Sequence, residues 1–60
     1  MELKYLRTIP GSAEFSTKIL VYKRPKSWNE DEFLKILAEN HIHVCLWGQD
    51  PETVWVETYA

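Results

Sequence analysis

The fold is decided by residues 27–40, SWNEDEFLKILAEN, which form the one stretch with helical periodicity. Ser27 and Glu30 have the spacing of a capping box, and the acidic residues that follow suit the positive end of a helix dipole. Asn40 tolerates the left-handed backbone at which helices often stop. The i, i+3, i+4 stripe of the helix contains Phe33, Ile36, Leu37 and Asn40, with Leu34 beside it. The sequence therefore predicts a helix over 27–40 that buries this stripe against a second layer.

Two runs of β-forming residues precede the helix. Residues 3–9 alternate in polarity, with an imperfect position at Arg7, and residues 15–23 form the second run. Pro10-Gly11-Ser12 lies between them and is typical of a turn. We therefore expect an antiparallel hairpin over 3–23.

A second hairpin is predicted over 42–59, after the helix. Alternation resumes at Ile42, and Asp50-Pro51 is a favourable start for a turn. Cross-strand partners share a face, so pairing Leu46 with Val56 and Trp47 with Trp55 collects the aliphatic residues on one side. The predicted core face contains Ile42, Val44, Leu46, Val54 and Val56.

The element order β-β-α-β-β indicates an α+β fold. We expect a single domain over 1–60, with a four-stranded, mainly antiparallel sheet and one helix packed on one face. A helix of about twelve residues covers only one face of such a sheet, so the other face is left open to solvent or to a partner.

Composition and charge narrow the class of protein. The chain has 60 residues, 45% of them hydrophobic and 13% aromatic, and a single cysteine, Cys45. It carries no apolar run of about 18 residues that could span a membrane. These features are typical of a folded, cytoplasmic protein without disulfides. Residues 1–29 carry net charge +4 and residues 30–60 carry −6. The favoured interpretation is a solvated surface of mixed sign, and a fold with a basic and an acidic side is the alternative.

The open face is the predicted working surface. The alternation of side chains along the predicted strands puts an aromatic patch on this face, and aromatic residues are enriched in protein interfaces. The predicted partner-binding residues are Tyr22, His43, Trp47, Trp55, Glu57 and Tyr59. A homodimer seam and a purely structural cross-strand pair of Trp47 with Trp55 are the alternatives. If the patch is an interface, Trp47→Ala and Trp55→Ala should abolish partner binding and leave the fold intact.

His41, His43 and Cys45 share a parity, which makes a metal site or a thiol nucleophile conceivable. A fourth ligand and the usual zinc spacing are missing, and an open sheet supplies neither a cleft nor oxyanion donors. We therefore expect no metal, no cofactor and no catalytic residue. An RNase-like enzyme that uses His41 or His43 is the last-ranked alternative.

Nucleic-acid binding is the main alternative from another class. An aromatic sheet face could stack bases, and the basic segment 23–26 could contact phosphates. The second hairpin, however, contributes three acidic residues and no basic one, which opposes a polyanion. The acidic run 30–32 is explained by the helix dipole, with imitation of phosphates as an alternative.

The chain resembles the small single-domain proteins by which bacteriophages block host defences, a class that includes Dmd-type antitoxins and anti-CRISPR proteins. The resemblance to Dmd-type antitoxins rests on the opening Met1-Glu2-Leu3, on Thr17-Lys18 in the second strand, and on Trp28 near the helix start, over about half of the chain. The Trp-rich final hairpin departs from that family, so no toxin-binding residue is carried over. The resemblance implies a non-enzymatic, stoichiometric inhibitor of a host defence enzyme or complex, acting in the host cytoplasm.

Overall fold

The computed structural model describes residues 1–11 and 18–59 and confirms the α+β architecture. The elements are β1 (Lys4–Pro10), β2 (Lys18–Lys23), α1 (Glu30–Glu39), β3 (Leu46–Gln49) and β4 (Thr53–Thr58). All three strand pairings are antiparallel, and the strand order is β1-β2-β4-β3. Both predicted hairpins are present, although residues 15–17 of the second predicted strand lie outside the described part of the chain.

The helix begins two residues later than the capping box predicted. Asn29 is the N-cap, and its side-chain oxygen accepts a hydrogen bond from the Glu32 backbone N–H at 2.9 Å. Ser27 lies instead in the preceding turn, in which the Trp28 N–H donates to the Pro25 carbonyl at 3.1 Å. Asparagine caps a helix as well as serine does, so the position three residues before Glu32 serves equally well.

The helix ends in a Schellman motif. The His41 N–H donates to the Ala38 carbonyl at 3.0 Å, and the Ile42 N–H donates to the Leu37 carbonyl at 2.9 Å. His41, at φ 59°, adopts the left-handed backbone expected of Asn40. This C-terminal motif sets the direction of residues 42–45. Ile42 and Val44 therefore pack on the core as loop residues and not as part of a strand.

The core lies between α1 and one face of the sheet. Phe33 and Leu37 from the predicted helical stripe meet Val54 and Val56 of the central strand β4, and each of these four side chains is at most 1% exposed. The alternation of buried and half-buried positions along β4 agrees with the predicted period of two. The covered face of the sheet is therefore the one that carries Val54 and Val56.

The register predicted for the second hairpin is wrong by one residue. Trp47 lies opposite Val56, and Leu46 lies opposite Glu57, so Leu46 leaves the predicted core face and is 57% exposed. Trp47 takes its place in the layer under the helix. An indole buries more apolar area than a leucine side chain, which favours the observed register.

The face predicted for the first hairpin also changes. Residues that pair across strands share a face, and Tyr22 lies opposite Val54, on the covered side. In β1 the register shifts between Tyr5 and Arg7, so Leu6 is the extra residue of a bulge. Tyr5 and Ile9, which have the same parity in the sequence, therefore lie on opposite faces.

Candidate binding surface

The six predicted partner-binding residues do not form one patch. The structure divides them into three locations: Tyr22 and Trp47 lie on the covered face, Trp55 and Glu57 lie on the open face, and His43 and Tyr59 lie beyond the end of the sheet. The open face is defined here as the sheet face turned away from α1. The one-residue slip in register accounts for Trp47, and the pairing of β2 with β4 accounts for Tyr22.

Trp47 belongs to an aromatic cluster beneath the helix. Its ring centroid lies 5.6 Å from that of Trp28 and 6.0 Å from that of Phe33, and Trp28 and Phe33 are 5.7 Å apart. These separations are typical of tilted and edge-to-face aromatic pairs, which stabilise a core. The geometry therefore gives Trp47 a structural role in the covered layer.

Tyr22 lies on the same side and packs edge to face against Tyr5, with ring centroids 6.0 Å apart. Burial raises the pKa of the Tyr22 phenol, and the neighbouring Tyr5 raises it further. The side chain contacts the core cluster, so it supports the sheet from the helix side.

His43 and Tyr59 stack on each other at the end of β4. Their ring centroids are 5.4 Å apart, with an interplanar angle of 25°. A hydrogen bond with Cys45 raises the pKa of the Tyr59 phenol. Among residues 1–11 and 18–59, no group of three or more His, Cys, Asp or Glu residues is arranged to hold a metal ion.

The open face is built from three rows that cross the sheet. The middle row contains Arg7, Val21, Trp55 and Gly48, one residue from each strand. Val21 is 7% exposed although it lies outside the cluster that packs on the helix. The row therefore has an apolar centre on the side away from α1.

Gly48 allows the Trp55 indole to lie across β3. A Cβ built on Gly48 would come within 2.6 Å of Trp55 Cε2 and nearer still to Cζ2, which no real side chain tolerates. The ring therefore occupies the space that a side chain at position 48 would need. An aromatic ring laid over a cross-strand glycine restores the packing that the glycine lacks.

The row on one side of Trp55 is aliphatic except for Glu57. It runs from Ile9 through Ile19 and Glu57 to Leu46. Ile9 is 41% exposed and Leu46 is 57% exposed, at the two edges of the sheet. This row adds accessible apolar surface to the middle row.

The row on the other side is basic and leads into a shallow cavity. The row contains Lys4, Lys23 and Thr53. The cavity has a volume of about 560 Å³ and is lined by four basic residues, Arg7, Lys23, Arg24 and Lys26, and by one acidic residue, Glu52. Four of the seven basic residues of the chain therefore converge here. We refer to this feature as the basic cavity.

Arg24 is held in place at the wall of the basic cavity. Its backbone N–H donates to the Glu52 carbonyl at 2.9 Å, and its Nε donates to Gln49 Oε1 at 2.9 Å. Its guanidinium lies 5.2 Å from the centre of the Trp28 ring, within the range of a cation–π contact. The guanidinium is therefore held on the covered side of the sheet, against Trp28 and Gln49.

The described surfaces differ in charge. The open face carries Lys4, Arg7 and Lys23 against Glu57, whereas α1 carries four acids against Lys35. Reasoning from the sequence missed Arg7, Ile9, Ile19 and Val21 as surface-forming residues. The break in alternation at Arg7 was the one signal available, because it marks the bulge.

The comparisons with known proteins give no relatives. No protein-family model matches the chain, and neither a curated protein nor a solved structure matches it significantly. Among the described residues, no helix is both long enough and apolar enough to cross a membrane.

Proposed function

We propose that this chain is a non-enzymatic protein-binding module, and that its interface is centred on the open face. One observation carries the proposal: apolar surface from Ile9, Trp55 and Leu46 lies on the side that the helix does not cover, beside the basic cavity. Apolar centres with charged margins are the usual composition of protein interfaces. Trp55 is the anchor residue of this proposal, since tryptophan is enriched among residues that dominate binding energy.

The partner class that we propose is a host defence enzyme or complex, blocked by stoichiometric binding in the host cytoplasm. The resemblance to phage antitoxins and anti-CRISPR proteins supports this part of the proposal. The size of the chain supports it as well, because a 60-residue domain has a marginal core and gains stability from a partner.

The test is affinity capture from bacterial lysates, with and without phage infection, and with and without nuclease. Leu46→Lys places a charge on the open face at an already exposed position, so it should abolish capture without unfolding the protein. Ala38→Lys makes the same charge change on the exposed side of α1 and is the matched control. The proposal is supported if one protein partner is still captured after nuclease treatment, is not captured by Leu46→Lys, and is captured by Ala38→Lys. Capture by wild type and Leu46→Lys alike would contradict it.

A small nucleic-acid-binding protein is the second candidate, and the basic cavity is the observation that favours it. Phosphate contacts from Lys23 and Lys26 would make affinity fall steeply with salt. Titration of a single-stranded oligonucleotide at two salt concentrations tests this function, with Lys26→Ala as the variant and Lys35→Ala as the control. Affinity that does not change with salt would exclude it. A self-associating protein that captures neither class would identify the open face as a homodimer seam.

A further inference from the structure

The outer edge of β1 is a strand-pairing surface that no other described strand occupies. The strand lies at one end of the order β1-β2-β4-β3, and all seven of its residues are exposed. Within residues 1–11 and 18–59, no strand pairs with its outer side. An edge strand presents a row of unpaired N–H and C=O groups that can accept another extended chain.

The opposite edge of the sheet is a poorer template. The strand there, β3, has four residues and includes Gly48, whereas β1 extends for seven residues, or roughly 23 Å at about 3.3 Å per residue. A longer edge offers more backbone hydrogen bonds to an incoming strand, so an added strand would form more of these bonds at β1 than at β3.

The charges on β1 define the chemistry of the strand that fits. Lys4 and Arg7 are its charged residues, and the basic cavity continues the positive field next to Arg7. A second copy of β1 would bring four cations together with no acid from either strand. An acidic segment would instead neutralise these charges as it pairs.

The charges of β1 serve selection. Lysine, proline and bulges on an edge strand discourage pairing with any incoming strand. An acidic strand meets the same bulge and the same missing N–H, but its carboxylates convert the repulsion from Lys4 and Arg7 into an attraction. The edge is therefore selective and not simply blocked.

We propose that β1 receives an extended, acidic segment of the partner protein as a fifth strand of the sheet, with carboxylates of that segment directed toward Arg7 and the basic cavity. This inference rests on the proposed function and specifies how the partner is held. It also extends the interface from the open face to the adjacent edge, which Ile9 and Arg7 already connect.

The experiment uses the full chain and a capped ten-residue peptide of alternating glutamate and valine. We expect saturable binding, amide shift changes concentrated in residues 4–9, and slower amide exchange in β1. The same peptide with alternate backbone nitrogens methylated should bind at least tenfold more weakly, since methylation removes its donors. A lysine-valine peptide should not bind.

Arg7→Glu should weaken the acidic peptide at least tenfold, whereas Lys35→Glu, the same charge change on α1, should leave binding unchanged. Equal affinity for the methylated and unmethylated peptides would overturn the added strand, and so would shift changes that fall outside β1. An oligonucleotide that binds the same residues more tightly than the peptide would overturn the acidic-segment partner in favour of nucleic acid.

This outcome is separable from the outcome of the proposed function. Leu46→Lys lies on the far edge and should leave peptide binding intact while it abolishes capture of the partner. If the acidic peptide does not bind but the partner is still captured from lysate, only the proposal of a fifth strand at β1 is contradicted. Peptide binding without any capture that depends on Leu46 contradicts only the interface proposed for the open face.

Discussion

The two faces of the sheet bury apolar side chains by different means. On the covered face, Val54 and Val56 are fully buried because Phe33 and Leu37 of α1 pack directly on them. On the open face, Val21 is 7% exposed without any help from the helix, between the strand neighbours Arg7 and Trp55. The comparison shows that a chain with one helix can complete one core and leaves a second apolar layer only partly covered.

The largest difference between the two faces is expected when one tryptophan on each face is replaced by alanine. Trp47→Ala removes ring contacts to Trp28 and Phe33 and should cost about 3–5 kcal/mol of unfolding free energy. Trp55→Ala, on the open face, should cost about 1–3 kcal/mol. A domain of this size has roughly 3–9 kcal/mol in total, so Trp47→Ala is expected to unfold much of the protein.

Urea denaturation followed by circular dichroism measures both variants. The sequence predicted that both Trp47→Ala and Trp55→Ala leave the fold intact. With the two rings placed, we now expect this only of Trp55→Ala. A Trp47→Ala protein as stable as Trp55→Ala would contradict the placement of the two rings on different layers.

A smaller effect is expected at Gly48, where the open face depends on a missing side chain. Gly48→Ala should cost about 1–3 kcal/mol, because the new methyl group displaces the Trp55 ring. In a Trp55→Ala background the same change should be nearly neutral, so a double-mutant cycle isolates the contact. Equal costs in the two backgrounds would show that Gly48 is needed for some other reason.

The covered layer can be stabilised without touching the open face. His41→Gly should raise the unfolding free energy by about 0.5–1 kcal/mol, since the left-handed backbone at φ 59° is costly for a residue with a Cβ. Thermal denaturation measures the change, and His41→Val is the control that should destabilise the protein. A less stable glycine variant would contradict the strain argument.

The smallest effect is expected in the turn that joins β3 to β4. Asp50 Oδ1 accepts hydrogen bonds from the Thr53 and Glu52 N–H groups at 2.7 and 2.8 Å, and these bonds lower the pKa of the carboxyl group. Asp50→Ala should therefore lower the melting temperature at neutral pH. Because the folded pKa is depressed, this stabilisation is present above the unfolded pKa of about 3.9 and is lost as pH falls through the folded pKa.

Melting curves of wild type and Asp50→Ala at pH 7 and pH 3 test this sign. The difference between the two proteins should shrink at the lower pH. A difference that grows on acidification would mean that the neutral carboxyl group, and not the carboxylate, holds the turn.

Much of the fold was predictable because it depends on local signals. The stripe through Phe33 and Leu37 identified the helix, and alternation through Val54 and Val56 identified the central strand, since both patterns have a fixed period. The start of the helix was less certain, because Ser27 and Asn29 are both good caps with an acidic residue three positions on. Choosing between them depends on contacts that local spacing does not reveal.

The candidate site was less predictable, because it depends on which strands are neighbours. Placing Tyr22 required knowledge that β2 pairs with β4, and placing Trp47 required the register of β3, in which a one-residue slip exchanges the two faces. Trp55 and Glu57 were assigned correctly to the open face, since β4 is central and its alternation is unbroken.

The sequence by itself determined the elements of this protein: the number of strands, the amphipathic helix, the turn at Asp50 and the division of charge between its halves. These features follow from propensity, periodicity and composition, which act over a few residues. Only the tertiary structure decided the strand order, the bulge at Leu6, the register that buries Trp47, and the cavity that Arg7 lines together with Lys23, Arg24 and Lys26. Those features depend on contacts between segments far apart in the chain, where several local arrangements compete and the packing of the whole fold selects one of them.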